Sequence, residues 1–212
     1  MKTQARYAYA LTLLLAPFSG CGDDSSGTGG STSEAESSSS TSSDGADETI
    51  GDSSSGGEDP FAGCSRDVLA DDFEVAPWMG PGVDEDGELI DDGTTEYIVS
   101  STYLALSLEA DLEHFSQLNE GNVQALFSNP GLVAARLGGS ATCGTARTFT
   151  VWTSEEAMME FVASPAHLQS VSAFPSFSRG GSALSVWPEP ALAAEITWEN
   201  ALAHLGEVDA YD

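Results

Sequence analysis

The chain has 212 residues, and its six basic side chains face 34 carboxylates, for a formal charge of −28 at pH 7. Phosphate backbones require clustered positive charge, so nucleic acid is excluded as a partner. Lys2 is the only lysine. Once the N-terminal segment is removed as described below, neither Schiff-base chemistry nor a P-loop lysine is available.

Lys2 and Arg6 precede an apolar run from Tyr7 to Phe18 that only Thr12 interrupts. This run is too short to span a bilayer as a helix and reads as a cleavable export signal over residues 1–20. It ends in Phe18-Ser19-Gly20-Cys21, which resembles the lipobox of bacterial lipoproteins, with Phe18 where that pattern prefers Leu. The resemblance implies lipidation of Cys21, and more than one acyl chain meets the requirement for stable membrane anchoring. Gly22 rather than Asp after Cys21 points to the outer membrane under the enteric sorting rule, so the expected location is the bacterial cell envelope.

Residues 21–60 are almost entirely Ser, Gly, Thr, Asp and Glu, with Ile50 the one large apolar side chain. Such a stretch cannot bury enough apolar surface to offset its chain entropy and is expected to be a disordered tether. With Cys21 lipidated, Cys64 and Cys143 remain, an even number in an oxidising compartment. They pair, stapling the lead-in to the domain, or persist as two buried thiols, or leave one reactive thiol. Neither has a His or Lys beside it in the sequence to activate it.

Residues 61–95 form an acidic lead-in. Phe61, Val68, Leu69, Phe73, Val75, Trp78 and Met79 can pack on a domain, while Pro77, Gly80, Pro81 and Gly82 interrupt regular structure. The run from Asp84 to Asp92 offers the oxygen ligands that calcium prefers. It has Gly82 at the first ligand position of an EF-hand and Gly93 at the last, however, so it reads as a solvated acidic loop with no metal assigned.

From Glu96 the pattern becomes regular. Tyr97 to Leu106 is rich in β-branched and aromatic residues and reads as a strand. Residues 109–128 place Leu112, Phe115, Val123, Leu126 and Phe127 at helical spacing and stop at Asn129-Pro130. Leu132–Leu137 is a second strand, Gly138-Gly139-Ser140 opens a hairpin, and Arg147–Trp152 is a third strand. Thr153 with Glu156 reads as a capping box ahead of a helix carrying Ala157, Met158, Phe161 and Val162. Ser164-Pro165 starts another turn with His167, Leu168 and Val171. Ala183–Trp187 is a fourth strand, and Pro190–Leu205 reads as a last amphipathic helix. The order βαββαβ plus a C-terminal helix predicts a ferredoxin-like α+β domain over residues 96–212. Two helices cover one sheet face; a second copy of the chain is expected to cover the other, making a homodimer.

Arg147-Thr148-Phe149-Thr150-Val151-Trp152, then Ser154-Glu155-Glu156-Ala157-Met158, Phe161 and His167, resembles the third strand and second helix of antibiotic-biosynthesis-monooxygenase-like domains. These belong to the dimeric α+β barrel superfamily. The resemblance spans roughly residues 96 to 187. It implies oxidation of aromatic or haem substrates in a pocket between sheet and helices, often without an added cofactor. On that reading His167 supplies proton transfer or an axial haem ligand, and Tyr103 donates a hydrogen bond to substrate. Arg147 faces the pocket or a salt bridge at a dimer seam, and Phe149 and Trp152 form pocket walls. Trp152 also suits an anchor between helix and sheet. The haem-degrading branch has an Asn on the first strand, where this chain has Ser100, Ser101 and Thr102, and its Trp–His spacing is shorter. The expectation is therefore no cofactor, with haem as the alternative. His114 and His204 lie apart from any ligand set. Two functions follow: an envelope module that binds a small hydrophobic ligand, or a cofactor-free or haem-dependent monooxygenase acting on one. Fold does not choose between them.

Overall fold

In the computed structural model, residues 60–211 are described; the expected export signal, Cys21 and the expected tether up to residue 59 lie outside them. The sheet strands are β1 (Glu74–Val75), β2 (Glu96–Ala105), β3 (Leu132–Ser140), β4 (Thr145–Trp152), β5 (Ala183–Val186) and β6 (Ala191–Leu192). They pair antiparallel in the order β1-β3-β4-β2-β5, with β6 joining β2 beyond the end of β5. The helices are α1 (Leu112–Ser128), α2 (Glu155–Val162), α3 (Pro165–Ala173) and α4 (Trp198–Glu207). Strands β2 to β5 with α1, α2 and α3 form the expected ferredoxin-like α+β arrangement. Among the described residues no helix is long and apolar enough to cross a membrane.

Local chemistry places the helix ends. Asp111 caps α1 by accepting from the His114 N–H at 3.0 Å. Ser154, rather than Thr153, caps α2 by accepting from Ala157 N–H. Thr153 is held elsewhere, since its backbone N–H and its hydroxyl both donate to the Gly131 carbonyl. Ser164 caps α3, with Pro165 at its first position.

Gly138 and Gly139 lie inside β3 and not in the hairpin turn. A Cβ on Gly138 would sit 2.5 Å from the Phe73 ring and 3.0 Å from the Glu74 carbonyl oxygen. Glycine there admits β1, which pairs Val75 with Gly138 and Glu74 with Gly139. The turn itself falls at residues 141–144, where Gly144 takes a φ of +52°.

The strand alternation assigns every side chain to one of two faces. On the helix side, Leu132, Ala135 and Trp152 pack with Leu126 of α1 and Met158 of α2. On the other side, Val99, Ala134, Phe149, Val151 and Trp187 pack with Trp78 of the lead-in and with Ala191, Ile196 and Ala201 of the C-terminal segment. Tyr103, Ala105 and Ala183 continue that layer against Leu205 of α4. The chain thus covers by itself the face for which a second copy was expected. The reason for a homodimer through that face no longer holds, because its apolar surface is already buried.

The predicted helix Pro190–Leu205 is also corrected. Ala191 and Leu192 are extended and pair with Tyr97 and Glu96, and a 3-10 turn (Ala193–Glu195) follows. Helix α4 begins only after Thr197, whose hydroxyl accepts from Asn200 N–H. The Glu195 carboxylate accepts from Leu192 N–H, which holds the chain in the turn. Pairing with β2 and burial of Ile196 favour this path over one continuous helix.

Candidate functional site

The residues singled out from the sequence divide between the two faces of the sheet. Tyr103 pairs with Arg147, and Ser101 with Phe149, across β2 and β4, so all four share the face covered by the lead-in and α4. Phe149 is 1% exposed and is ringed by Trp78, Trp187 and Trp198 at centroid distances of 5.3, 5.8 and 5.3 Å. It fills the core rather than lining an open pocket.

Arg147 is 2% exposed. Its Nη1 donates to the Arg66 carbonyl at 2.8 Å, and its Nη2 donates to the carbonyls of Ser65 and Val68 at 3.0 and 2.7 Å. The guanidinium lies 4.5 Å from the centre of the Tyr103 ring and 5.8 Å from that of Phe73. Burial lowers its pKa to about 10, against the opposing influence of Tyr103 and Asp67, so it stays charged near neutrality. The chemistry of this arrangement is that of a clamp: one buried cation gathers three carbonyls of the lead-in. Beside it Cys64 and Cys143 form a disulfide with a Cα–Cα distance of 5.5 Å.

Trp152 and His167 lie on the helix side. Trp152, 1% exposed, packs against Met158 and Phe161 and joins α2 to the sheet. Its indole N–H donates to Thr150 Oγ1 at 2.9 Å, and that hydroxyl lies 2.6 Å from Ser100 Oγ. Phe161 stands between Trp152 and His167, at centroid distances of 5.7 and 5.0 Å. His167 Nδ1 is 3.0 Å from the Val162 carbonyl. A carbonyl only accepts, so Nδ1 carries the proton and Nε2 is left as an acceptor. Next to this hydrogen-bonded row, Leu184 pairs with Thr102 and Val186 with Ser100 across β2 and β5, which puts both on the helix side. They are 42% and 45% exposed, so the helices leave this edge of the sheet uncovered.

Burial lowers the His167 pKa below its ordinary 6.5, partly offset by the bond to Val162. A histidine with a depressed native pKa contributes stability above its unfolded value and loses it as pH falls through the native one. Between about pH 7 and about pH 5, the native chain is therefore expected to lose more stability than a His167→Gln variant, read as the shift in urea midpoint. Parallel pH profiles for the two proteins would refute the assignment.

Tyr103 and Arg147 are thus not brought to His167 and Trp152, and no single pocket gathers the five residues. Haem does not fit the helix side. Its two propionates call for cations, whereas Arg136 and Arg147 lie on the opposite face. Arg136 donates there to the Ala76 carbonyl and stacks on Trp78. Arg66 and Arg179 line a hollow beside Tyr103. Among the described residues no group of three or more His, Cys, Asp or Glu side chains is placed to hold a metal ion. In the acidic loop Asp84 instead accepts from the backbone N–H groups of Asp86 and Glu88. Sequence reasoning missed the uncovered pair Leu184 and Val186. Their alternation with Ala183 and Ser185 shows that they share a face, but nothing local shows that the face lacks a cover.

No protein-family model and no curated protein sequence matches the chain. Solved structures do. The chain is similar to SnoaB, a cofactor-independent oxygenase from Streptomyces nogalater, at 17% identity and a TM-score of 0.37, over 45% of this chain and 94% of that one. It is similar to LmHde, a heme-degrading enzyme from Listeria monocytogenes, at 16% identity and a TM-score of 0.38, over 55% and 71% of the two chains. A third likeness is to a ferredoxin fold protein related to antibiotic biosynthesis monooxygenases, also from Listeria monocytogenes. There the identity is 17%, the TM-score 0.39, and the coverage 55% of this chain and 64% of that one. At such identities and TM-scores these likenesses carry no activity or family to this chain, and its α+β, ferredoxin-like description stands on its own order of strands and helices.

Proposed function

We propose that this chain is a bacterial envelope lipoprotein, anchored through Cys21 and carried on its tether, whose domain binds a small hydrophobic molecule on the helix side of the sheet. The observation that carries the reading is the pair Leu184 and Val186, each more than two-fifths exposed, beside the Ser100–Thr150–Trp152 hydrogen-bonded row. Apolar side chains there supply the affinity, and the hydroxyls orient one polar group of the ligand. Covering two half-exposed aliphatic side chains is worth roughly 1 kcal/mol each. The test is fluorescence titration of the purified chain with the neutral probe N-phenylnaphthylamine. Saturable binding is expected, weakened about tenfold by Val186→Asp, since the new carboxylate would have to be desolvated. Probe binding that ignores this substitution, or none that saturates, would sink the reading.

One observation favours the alternative of a cofactor-free monooxygenase. His167 is neutral near pH 7 and keeps Nε2 as an acceptor, the form a general base requires. Oxygen uptake with an electron-rich phenol, lost in His167→Ala while probe binding persists, would establish it. No uptake in the native chain leaves the binding function.

A further inference from the structure

Residues 60–211 contain four arginines, and among the described residues none is ion-paired to a carboxylate; the one pair within 4.0 Å is His204 with Glu207. Three of the four gather at one end of the covered sheet face. Arg147 donates to lead-in carbonyls there. Arg179 donates through Nη1 to the carbonyls of Leu106 and Gly144 and lies 3.7 Å from the Phe61 ring centre. Its Nε and Nη2 make no hydrogen bond among the described residues. The Arg66 guanidinium makes none either. Carbonyl partners are neutral, and Asp67, which interacts with Arg66 and Arg147 without an ion pair within 4.0 Å, offsets only part of the three positive charges gathered here. At physiological ionic strength fields are screened over about 8 Å, so these local cations, not the net charge, decide what binds.

Arg66 and Arg179 line a hollow of about 330 Å³ together with Tyr103, Asp67 and the Gly180-Gly181 pair. Tyr103 is buried, and its hydroxyl makes no hydrogen bond within the described chain. A second hollow of about 490 Å³ adjoins the first, sharing Asp67 and Gly206 with it; Leu69, Leu202 and Ala203 give it apolar walls and Glu199 adds a second carboxylate. The first hollow carries two guanidinium groups against one carboxylate, and the second is largely aliphatic with Glu199 and the shared Asp67 as its charged members, so a ligand spanning both meets cations at one end and apolar side chains along the other.

We propose that the two hollows together bind a small amphiphilic carboxylate, its head between Arg66, Arg179 and Tyr103 and its apolar body along Leu69, Leu202 and Ala203. Guanidinium groups match the planar geometry of a carboxylate and reward it over a neutral head. Asp67 at the junction repels a doubly charged phosphate more strongly than a singly charged carboxylate. This site lies on the face opposite Leu184 and Val186 and does not depend on the function proposed for them.

The experiment is calorimetric titration of the purified full chain, disulfide intact, with octanoate and with octanol. Octanoate is expected to bind one-to-one and octanol about tenfold more weakly, as loss of a charge-assisted hydrogen bond implies. Arg66→Gln should weaken octanoate by a similar factor and leave octanol unchanged. Its unfolding midpoint should stay close to that of the native chain, since the side chain makes no hydrogen bond among the described residues and only a solvent-exposed electrostatic contact with Asp67. Leu202→Asp should weaken both ligands. Octanoate should also leave bound N-phenylnaphthylamine in place. Equal binding of octanoate and octanol, no binding of octanoate, or insensitivity to Arg66→Gln would overturn the proposal. Displacement of the naphthylamine by octanoate would do so as well, by placing the carboxylate at the uncovered sheet edge beside Leu184 and Val186.

Discussion

Arg147→Ala is expected to destabilise the domain by about 3–4 kcal/mol and to release the start of the lead-in. Three charge-assisted hydrogen bonds are worth roughly 1.5–3 kcal/mol each, less the cost of keeping the cation desolvated. The substitution leaves the carbonyls of Ser65, Arg66 and Val68 without donors and opens a void beside Tyr103 and Phe73. Arg147→Met separates the two causes, because it keeps most of the volume and none of the donors. If packing alone mattered, the Met variant would match the native chain in a denaturant titration. The clamp requires it to fall most of the way to the Ala variant, with faster proteolysis at residues 60–70 in both. Arg147→Lys should lie between, since an ammonium keeps the charge but does not span three carbonyls at once.

Removing the disulfide is expected to cost about as much. Cys64 and Cys143 are 79 residues apart, and closing a loop of that length in the unfolded chain is worth roughly 4 kcal/mol on the chain-entropy account. For a domain of this size that corresponds to a fall in Tm of about 10 °C. The Cys64→Ser, Cys143→Ser variant, and the native chain in reductant, should both show it by calorimetry. A shift below about 2 °C would mean that the lead-in is held without the bond. The disulfide and the clamp hold the same stretch, residues 64–68, so their losses should not add. Once the bond is gone and the stretch detaches, Arg147 has less left to hold. A double-mutant cycle over Arg147→Ala and the cysteine pair should therefore give a combined loss smaller than the sum of its parts.

The legible features are those set by neighbours along the chain. Asn129-Pro130 ends α1 where expected because proline disfavours helical backbone in the residue before it. Ser164-Pro165 begins α3 because a hydroxyl and a residue without an N–H suit the first turn. The alternation in β4 correctly puts Arg147, Phe149 and Val151 on one face. The misread boundaries have partners distant in sequence. Thr153 looks like a cap until Gly131 takes both its N–H and its hydroxyl. Gly138-Gly139 looks like a turn until Phe73 and Glu74 are found against it. Residues 190–197 look helical until β2 is seen to offer them an unpaired edge.

The same division separates what the sequence by itself determined from what only the tertiary structure decided. The net charge of −28, the order of the central strands and of the helices between them, and the side of the sheet each of those strand residues occupies depend on composition, spacing and local stereochemistry. These belong to the chain before it folds. Which elements cover each side does not. The lead-in and the C-terminal segment close over Arg147 and Phe149, and that burial turns one into a clamp and the other into core, while Tyr103 is left stacked on Arg147 at the wall of a hollow. The helices stop short of Leu184 and Val186, and that gap makes two ordinary strand residues a surface for a ligand. A side chain's chemistry is written in its sequence, but its exposure depends on segments up to a hundred residues away, and exposure decides whether that chemistry meets solvent, ligand or its own backbone.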